Sequence, residues 1–151
     1  MGVRKAEPVL LRPEMTSAEA FRAVSHACLR HMRLNEYILL ERRDVDTLHQ
    51  TRVAIRRLQW AFSLFGGIIS EVRSEGLRAE LKRLSEPLGC ARNHDVLLSK
   101  TLSTERARHP DEQGLLNLEK YLEEQRSAEY AEVQAVLRSK EWRCFLIVSA
   151  R

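Results

Sequence analysis

Residues Leu48–Phe65 read LHQTRVAIRRLQWAFSLF, in which apolar residues recur at the three- and four-residue spacing of an amphipathic helix. One face of this helix is expected to lie in a core, and it carries Ala54, Ile55, Leu58, Ala61, Phe62 and Phe65. The helix is predicted to end near Gly66 and Gly67, since glycine favours helix termination. Three arginines on a helix that packs against a core need a negatively charged partner.

The same helical spacing covers most of the chain and predicts an all-α protein, an antiparallel helical bundle with short loops. Residues 1–15 are predicted to be a flexible leader and residues 16–151 a single helical domain. The first predicted helix is capped by Thr16 or Ser17 and runs toward Arg43, and the quoted helix follows it. A third helix through Leu77–Leu88 is predicted to be kinked or ended by Pro87 and Gly89, and a fourth around Val96–Leu102 to start at Asn93 or Asp95. The rest is predicted to be a loop over Arg106–Asp111, a long helix over Glu112–Arg138 and a short segment around Trp142.

The composition places the chain among soluble globular domains. Its 151 residues suit one domain, and 44% hydrophobic residues with few glycines and prolines exclude a disordered tail. The three cysteines are widely spaced and odd in number, so we expect buried free thiols in a reducing compartment. No apolar run is long enough to cross a bilayer or to act as a signal peptide. A cytoplasmic location is expected.

A polar stripe runs along the quoted helix, beside its apolar face. The stripe comprises His49, Arg52, Arg56, Gln59 and Ser63. Val53, Trp60 and Leu64 form a second apolar flank in which Trp60 is expected to be packed, with Arg57 beyond them. Apolar surface on both sides indicates that the stripe looks into a groove between helices.

The arginines of the stripe have no acidic partner three or four residues away, because residues 47–70 contain no Asp or Glu. One explanation is pairing with acids of other helices, such as Glu36 or Glu80. The other is a bound anion, and the planar guanidinium fork suits phosphate oxygens. A second basic group lies on the third helix, where Lys82 and Gly89 share a face and Arg92 follows.

These residues resemble a known family. HQTRVAIRRLQ is similar to the HxxRVxxRRLR signature of the CHAD domain (conserved histidine α-helical domain), and LKRLSEPLGCARNHDVLL is similar to that family's LxxLxxxLGxxRDxDVL segment. Gln59 stands where the family has an arginine, and Asn93 where it has an aspartate. The resemblance covers roughly residues 16–102.

The resemblance implies half of a two-bundle domain built around a basic channel for inorganic polyphosphate, with no cofactor and no catalysis. The implied polyphosphate-binding residues are His49, Arg52, Arg56, Arg57, Lys82 and Arg92. Asp95 is implied to be structural, orienting Arg92 or capping a helix. No second copy of the first motif follows, so the chain is expected to be either a fragment or a natural half-domain that forms a homodimer to close the channel. Polyphosphate granules and a CYTH-type triphosphatase, or another polyphosphate-metabolising enzyme, are the implied location and partner.

Three other functions stay open at this point. The stripe could follow a nucleic-acid backbone, although only 6% of the residues are aromatic and could stack on bases. Metal binding through histidines is weakened by spacing, since His26 and His31 are five residues apart and His94 has no third ligand nearby in sequence. The helix over Glu112–Arg138 could instead serve a purely structural interaction module, although its charges fit a solvated face.

Overall fold

The computed structural model describes residues 2–151. These residues form six α-helices and one π-helical segment, with no strand in the described range. The elements are α1 (Ser17–Glu41), α2 (Val45–Leu64), α3 (Glu71–Val96), the π-helical segment (Leu97–Leu102), α4 (Ser103–Arg108), α5 (Gln113–Arg138) and α6 (Lys140–Ser149). The predicted all-α class is confirmed.

Helix α1 begins where the sequence predicts. Thr16 is the N-cap, and its hydroxyl accepts a hydrogen bond from the Glu19 amide while the Glu19 carboxylate accepts one from the Thr16 amide. Residues 2–12 contain no helix, but the backbone of Arg4 is hydrogen-bonded to Asn35 of α1. The predicted flexibility of the leader stays a prediction.

The bundle is assembled from neighbours in chain order. A three-residue connection from Arg42 to Asp44 folds α2 back onto α1, and the six residues that follow Leu64 fold α3 back onto α2. Helix α5 packs on α3, and α6 closes the far end against α3 and α5. These short connections place α3 next to α2.

The core joins one face of each long helix. The predicted core face of α2 is confirmed, with Phe65 half-buried and the other five residues buried. The core cluster contains Met32 and Leu39 of α1, Leu48, Leu58 and Phe62 of α2, Leu81, Leu84, Leu88 and Ala91 of α3, Val133 and Leu137 of α5, and Trp142 and Phe145 of α6. Burial of these side chains stabilises the bundle, and each of the larger ones contributes about 1.5–3 kcal/mol.

Two predictions about the middle of the chain are wrong. Helix α3 does not end at Pro87 or Gly89 but runs through both to Val96. The reason is tertiary packing, because its buried stripe from Leu81 to Ala91 continues across the proline. No new helix starts at Asn93 or Asp95, since the chain passes from α3 directly into the π-helical segment.

The predicted loop over residues 106–111 is also misplaced, because α4 reaches Arg108 and the connection to α5 is correspondingly short. Two cysteine predictions fail as well: Cys28 is buried, but Cys90 and Cys144 are exposed free thiols. Within the described residues, no helix combines the length and apolar character needed to cross a membrane.

Candidate anion-binding groove

A groove of about 870 Å³ lies between α2 and α3. Helix α2 contributes His49, Arg52 and Arg56, and α3 contributes Lys82 and Arg92. Five of the six residues predicted to bind polyphosphate therefore line one concave surface. This volume is within the range of about 300–1,000 Å³ that ligand sites occupy.

Helical periodicity explains why these cations converge. His49, Arg52 and Arg56 follow each other at three and four residues, so they share one face of α2 while the opposite face lies in the core. On α3 the residues Lys82 and Arg92 flank the same buried stripe that packs against α2. Packing of the two apolar faces therefore brings the two basic faces together across the groove.

The groove cations have no acidic partner at ion-pair distance. Within the described chain, no carboxylate oxygen lies within 4.0 Å of a charged nitrogen of Arg52, Arg56, Lys82 or Arg92. The two acids considered as partners are engaged elsewhere. Glu36 lies 3.8 Å from Arg33 and Glu80 lies 2.7 Å from Arg83, each three residues away on its own helix.

The proximity of these cations changes their protonation equilibria. Burial lowers the pKa of His49 below its ordinary value, and the positive charges of Arg92, Arg56 and Arg52 lower it further. Burial also lowers the pKa of Arg52, with further contributions from Arg56 and Arg92. Each cation thus repels its neighbours, and an anion in the groove would relieve this repulsion.

Gly89 lies on the groove wall beside Arg52. A Cβ atom built on Gly89 would lie 3.9 Å from Nη2 of Arg52, which is ordinary van der Waals contact. The Arg52 guanidinium therefore lies against the backbone of α3, where a larger side chain at position 89 would displace it. Ser85, also on the groove wall, keeps this surface open one turn earlier.

Arg57 is not part of the groove lining. Its Nη1 atom is buried without a hydrogen-bond partner among the described residues, and its charge acts on the thiol of Cys28 in α1. Burial raises the pKa of Cys28, and the Arg57 charge opposes that rise. Adjacent residues of a helix point about 100° apart, so Arg57 faces α1 while Arg56 faces the groove.

Asp95 lies on α3 outside the groove lining, and its side chain contacts α5. It is buried, and its Oδ2 atom accepts a hydrogen bond of 2.6 Å from the Tyr130 hydroxyl of α5. Its Oδ1 atom lies 3.5 Å from Nη1 of Arg126, and burial raises its pKa. Asp95 caps no helix here. Its link to Arg92 is electrostatic, whereas its direct contacts join α3 to α5.

Several lining residues were not predicted. The groove also contains Glu86, Cys90, Asn93, Val96, Leu97 and Thr101. Glu86, Asn93 and Val96 could have been found by extending the three- and four-residue spacing from Lys82 along α3. The predicted break at Pro87 concealed this continuity, and the π-helical segment that brings in Leu97 and Thr101 has no simple sequence signature.

The prediction for Trp60, on the second apolar flank of α2, is wrong. It was expected to be packed, but 70% of its surface is exposed. It does not belong to the groove lining, and neither does the equally exposed Leu64. The face of α2 beyond the groove therefore meets solvent rather than another helix.

The histidines do not converge on a common centre. Within residues 2–151, no group of three His, Cys, Asp or Glu side chains is placed to share a metal ion. Nδ1 of His94 lies 2.6 Å from the Glu129 carboxylate, and Nε2 of His31 lies 2.8 Å from the Arg4 carbonyl. His49 is the histidine that faces the groove cations.

Comparison with known proteins places this geometry in a family. The sequence model of the CHAD domain matches residues 23–148. The structure is similar to the crystal structure of the CHAD domain from the plant Ricinus communis, with a TM-score of 0.83 and 30% sequence identity. The similarity covers 97% of this chain and 48% of the plant chain, so this chain spans about half the length of that relative. A search of curated proteins gives no match. Because the family match extends over most of the helices, the chain belongs to the CHAD domain family.

Proposed function

We propose that the groove between α2 and α3 binds inorganic polyphosphate and that the chain acts as a non-catalytic binding module. The observation that carries this proposal is the set of four permanently charged groove cations with no carboxylate at ion-pair distance in the described chain. Arg52 and Arg92 are half-buried and Arg56 and Lys82 are exposed. These like charges repel one another across the groove, and a polyanion lying along it would offset that repulsion.

The mechanism needs no reacting group. Arg52, Arg56 and Arg92 would each donate charge-assisted hydrogen bonds to phosphate oxygens, at about 1.5–3 kcal/mol per bond, while Lys82 would act as a point charge. Glu86, the one carboxylate in the lining, would disfavour anions at its own position and so direct the chain toward the arginines. A module of this kind would hold polyphosphate for a separate enzyme, such as a CYTH-type triphosphatase.

The decisive experiment removes two groove charges. The Arg52→Ala, Arg56→Ala double variant is expected to bind polyphosphate at least about 100-fold more weakly in calorimetry, because two charge-assisted contacts are lost. The matched control is Arg22→Ala, Arg73→Ala, which removes two exposed arginines outside the groove lining. Equal affinities of the two double variants would refute the proposal.

Nucleic-acid backbone binding remains the second candidate because Trp60 is exposed beside the motif. A stacking platform would require this indole to face the bound strand, yet Trp60 is not in the groove lining. We therefore expect Trp60→Ala to leave polyphosphate binding unchanged. Excess polyphosphate should displace a single-stranded RNA oligonucleotide, and the reverse competition should fail.

We also propose that a second copy of the chain completes the site as a homodimer. In support, Leu64 at the end of α2 and Val72 at the start of α3 expose 77% and 83% of their surface, where a partner could cover them. Sedimentation should show a dimer at micromolar concentration, strengthened by polyphosphate. A strict monomer with and without polyphosphate would refute this assembly.

A further inference from the structure

A second cavity lies between the N-terminal segment and α1, on a surface that shares no residue with the groove. Its volume is about 540 Å³, which also falls in the range of small-molecule sites. Part of its wall is aliphatic and contains Pro8, Val9, Leu10, Ala27 and Leu34, and the lining includes no Phe, Tyr or Trp side chain. These walls suit a flexible hydrocarbon chain better than a flat ring.

The N-terminal segment is tied to α1 by hydrogen bonds at the base of this cavity. The Arg4 amide donates to Oδ1 of Asn35 at 3.1 Å, and Nδ2 of Asn35 donates to the Arg4 carbonyl at 2.9 Å. The Asn35 side chain is buried, and it also donates to the His31 carbonyl. One side of the cavity is therefore formed by a segment that is hydrogen-bonded to α1 at Arg4.

His31 leaves one buried polar atom available in the cavity wall. Its side chain is only 4% exposed, and its Nε2 atom lies 2.8 Å from the Arg4 carbonyl. Because a carbonyl can only accept, Nε2 donates this hydrogen bond, and Nδ1 is the second polar atom of the ring. This Nδ1 atom has no hydrogen-bond partner among the described residues. A polar group of a ligand could pair with this atom.

The rim of the cavity is positively charged. It carries Arg4, Lys5 and Arg30 against a single acid, Glu7. None of these three cations lies within 4.0 Å of a carboxylate oxygen in the described chain. Leu10, which belongs to the same lining, leaves 85% of its surface exposed. The rim therefore combines cations that have no carboxylate partner with the solvent-exposed side chain of Leu10.

From this combination we propose that the cavity binds an aliphatic chain with an anionic head group, placing the head group on Arg4, Lys5 and Arg30 and the hydrocarbon against Leu10, Ala27 and Leu34. This chemistry is shared by free fatty acids and by anionic membrane lipids. The inference does not rest on the function of the groove, and either site can fail without the other.

Two probes distinguish the sources of such a ligand. Decanoate below its micellar concentration, added to isotope-labelled protein, should shift the NMR signals of His31, Ala27 and Leu34. Vesicles of phosphatidylglycerol should sediment the protein if the head group is presented by a membrane, while phosphatidylcholine vesicles should not. Binding of decanoate alone assigns a free acid as the ligand, and binding of the vesicles alone assigns a lipid surface. Absence of both overturns the proposal.

Variants locate the binding in this cavity. Lys5→Glu, Arg30→Glu should weaken binding of the responsive probe about tenfold or more, whereas the exposed pair Arg22→Glu, Arg73→Glu, with the same change in net charge, should not. Ala27→Phe should fill the cavity and abolish binding while polyphosphate affinity stays unchanged. Circular dichroism checks that each variant is folded, and Ala27→Ser, which adds little volume, should retain binding. Equal effects of the two charge reversals would overturn the assignment.

Discussion

At the scale of single residues, His49 couples the groove to pH. Its pKa is lowered by burial and by the charges of Arg92, Arg56 and Arg52, so the ring is neutral in the free protein at neutral pH. A bound polyanion stabilises the imidazolium and raises this pKa, so binding takes up a proton. Affinity should therefore rise as the pH falls through the pKa of the complex and level off below the pKa of the free protein.

The measurement is polyphosphate affinity by calorimetry between about pH 5 and 8, the range in which histidine titrates. His49→Asn should remove the part of the pH dependence that this ring causes. The terminal groups of the ligand also titrate, but they do so equally for both proteins. Identical pH profiles would show that His49 takes up no proton on binding.

Gly89 should control the placement of Arg52. Gly89→Ala adds one atom at 3.9 Å from Nη2 of Arg52 and should change affinity little. Gly89→Leu should push the guanidinium aside and weaken polyphosphate binding about 10- to 100-fold, the equivalent of one lost charge-assisted contact.

Gly76→Leu is the control for this substitution, because Gly76 lies in the same helix with nothing within 4 Å of its added Cβ. Leucine also has a higher helix propensity than glycine, by somewhat less than the roughly 0.8–1 kcal/mol that separates alanine from glycine. Stability therefore rises in both, and affinity should fall only for position 89. A loss of affinity at Gly76 as well would contradict this account.

At the scale of elements, α2 was the most predictable helix and α3 the least. The spacing along α2 fixed both its core face and its basic face, because each lies on one side of a single uninterrupted helix. The prediction for α3 failed at Pro87, since local propensity was outweighed by burial of leucines on both sides of the proline. The convergence of α2 and α3 depends on tertiary packing, so the extent of the groove between them could not be predicted from the sequence of either helix alone.

The joint between α3 and α5 depends on Tyr130 and Asp95. Removing the Tyr130 hydroxyl leaves Oδ2 of Asp95 buried without its 2.6 Å donor. Tyr130→Phe should therefore lower the free energy of unfolding by about 1–3 kcal/mol in urea titration at neutral pH. Tyr121→Phe, at an exposed position of the same helix, should have little effect.

The pH dependence of this loss has a definite sign. Burial raises the pKa of Asp95 above its ordinary value of 3.8, so its contribution to stability decreases as pH rises through the raised pKa. Below that pKa the carboxyl group is neutral in both proteins, and the missing hydroxyl leaves no charge uncompensated. The destabilisation by Tyr130→Phe should thus be smaller at acidic pH than at neutral pH. A loss independent of pH would mean that Asp95 stays neutral throughout.

At the scale of the whole molecule, the positive charge is concentrated rather than spread. The chain has 25 basic and 21 acidic residues and a net charge of +4, while the groove alone carries four permanent cations and one carboxylate. The basic and acidic residues outside the groove therefore nearly balance in number. Attraction of a polyanion should arise from the groove, and diffuse attraction to the rest of the protein should be weak.

Salt titration tests this distribution. Four phosphate contacts predict that log K falls with log salt at a slope of about −3, using about −0.7 per contact for a single-stranded polyanion, so affinity drops about 50-fold for a fourfold rise in salt. The Arg52→Ala, Arg56→Ala variant should show a slope of about half this size, because two contacts remain. Arg22→Ala, Arg73→Ala removes the same net charge and should keep the full slope. The slope counts the local contacts that release counterions. Equal slopes for the two variants would therefore mean that affinity depends on the net charge of the protein and not on the groove.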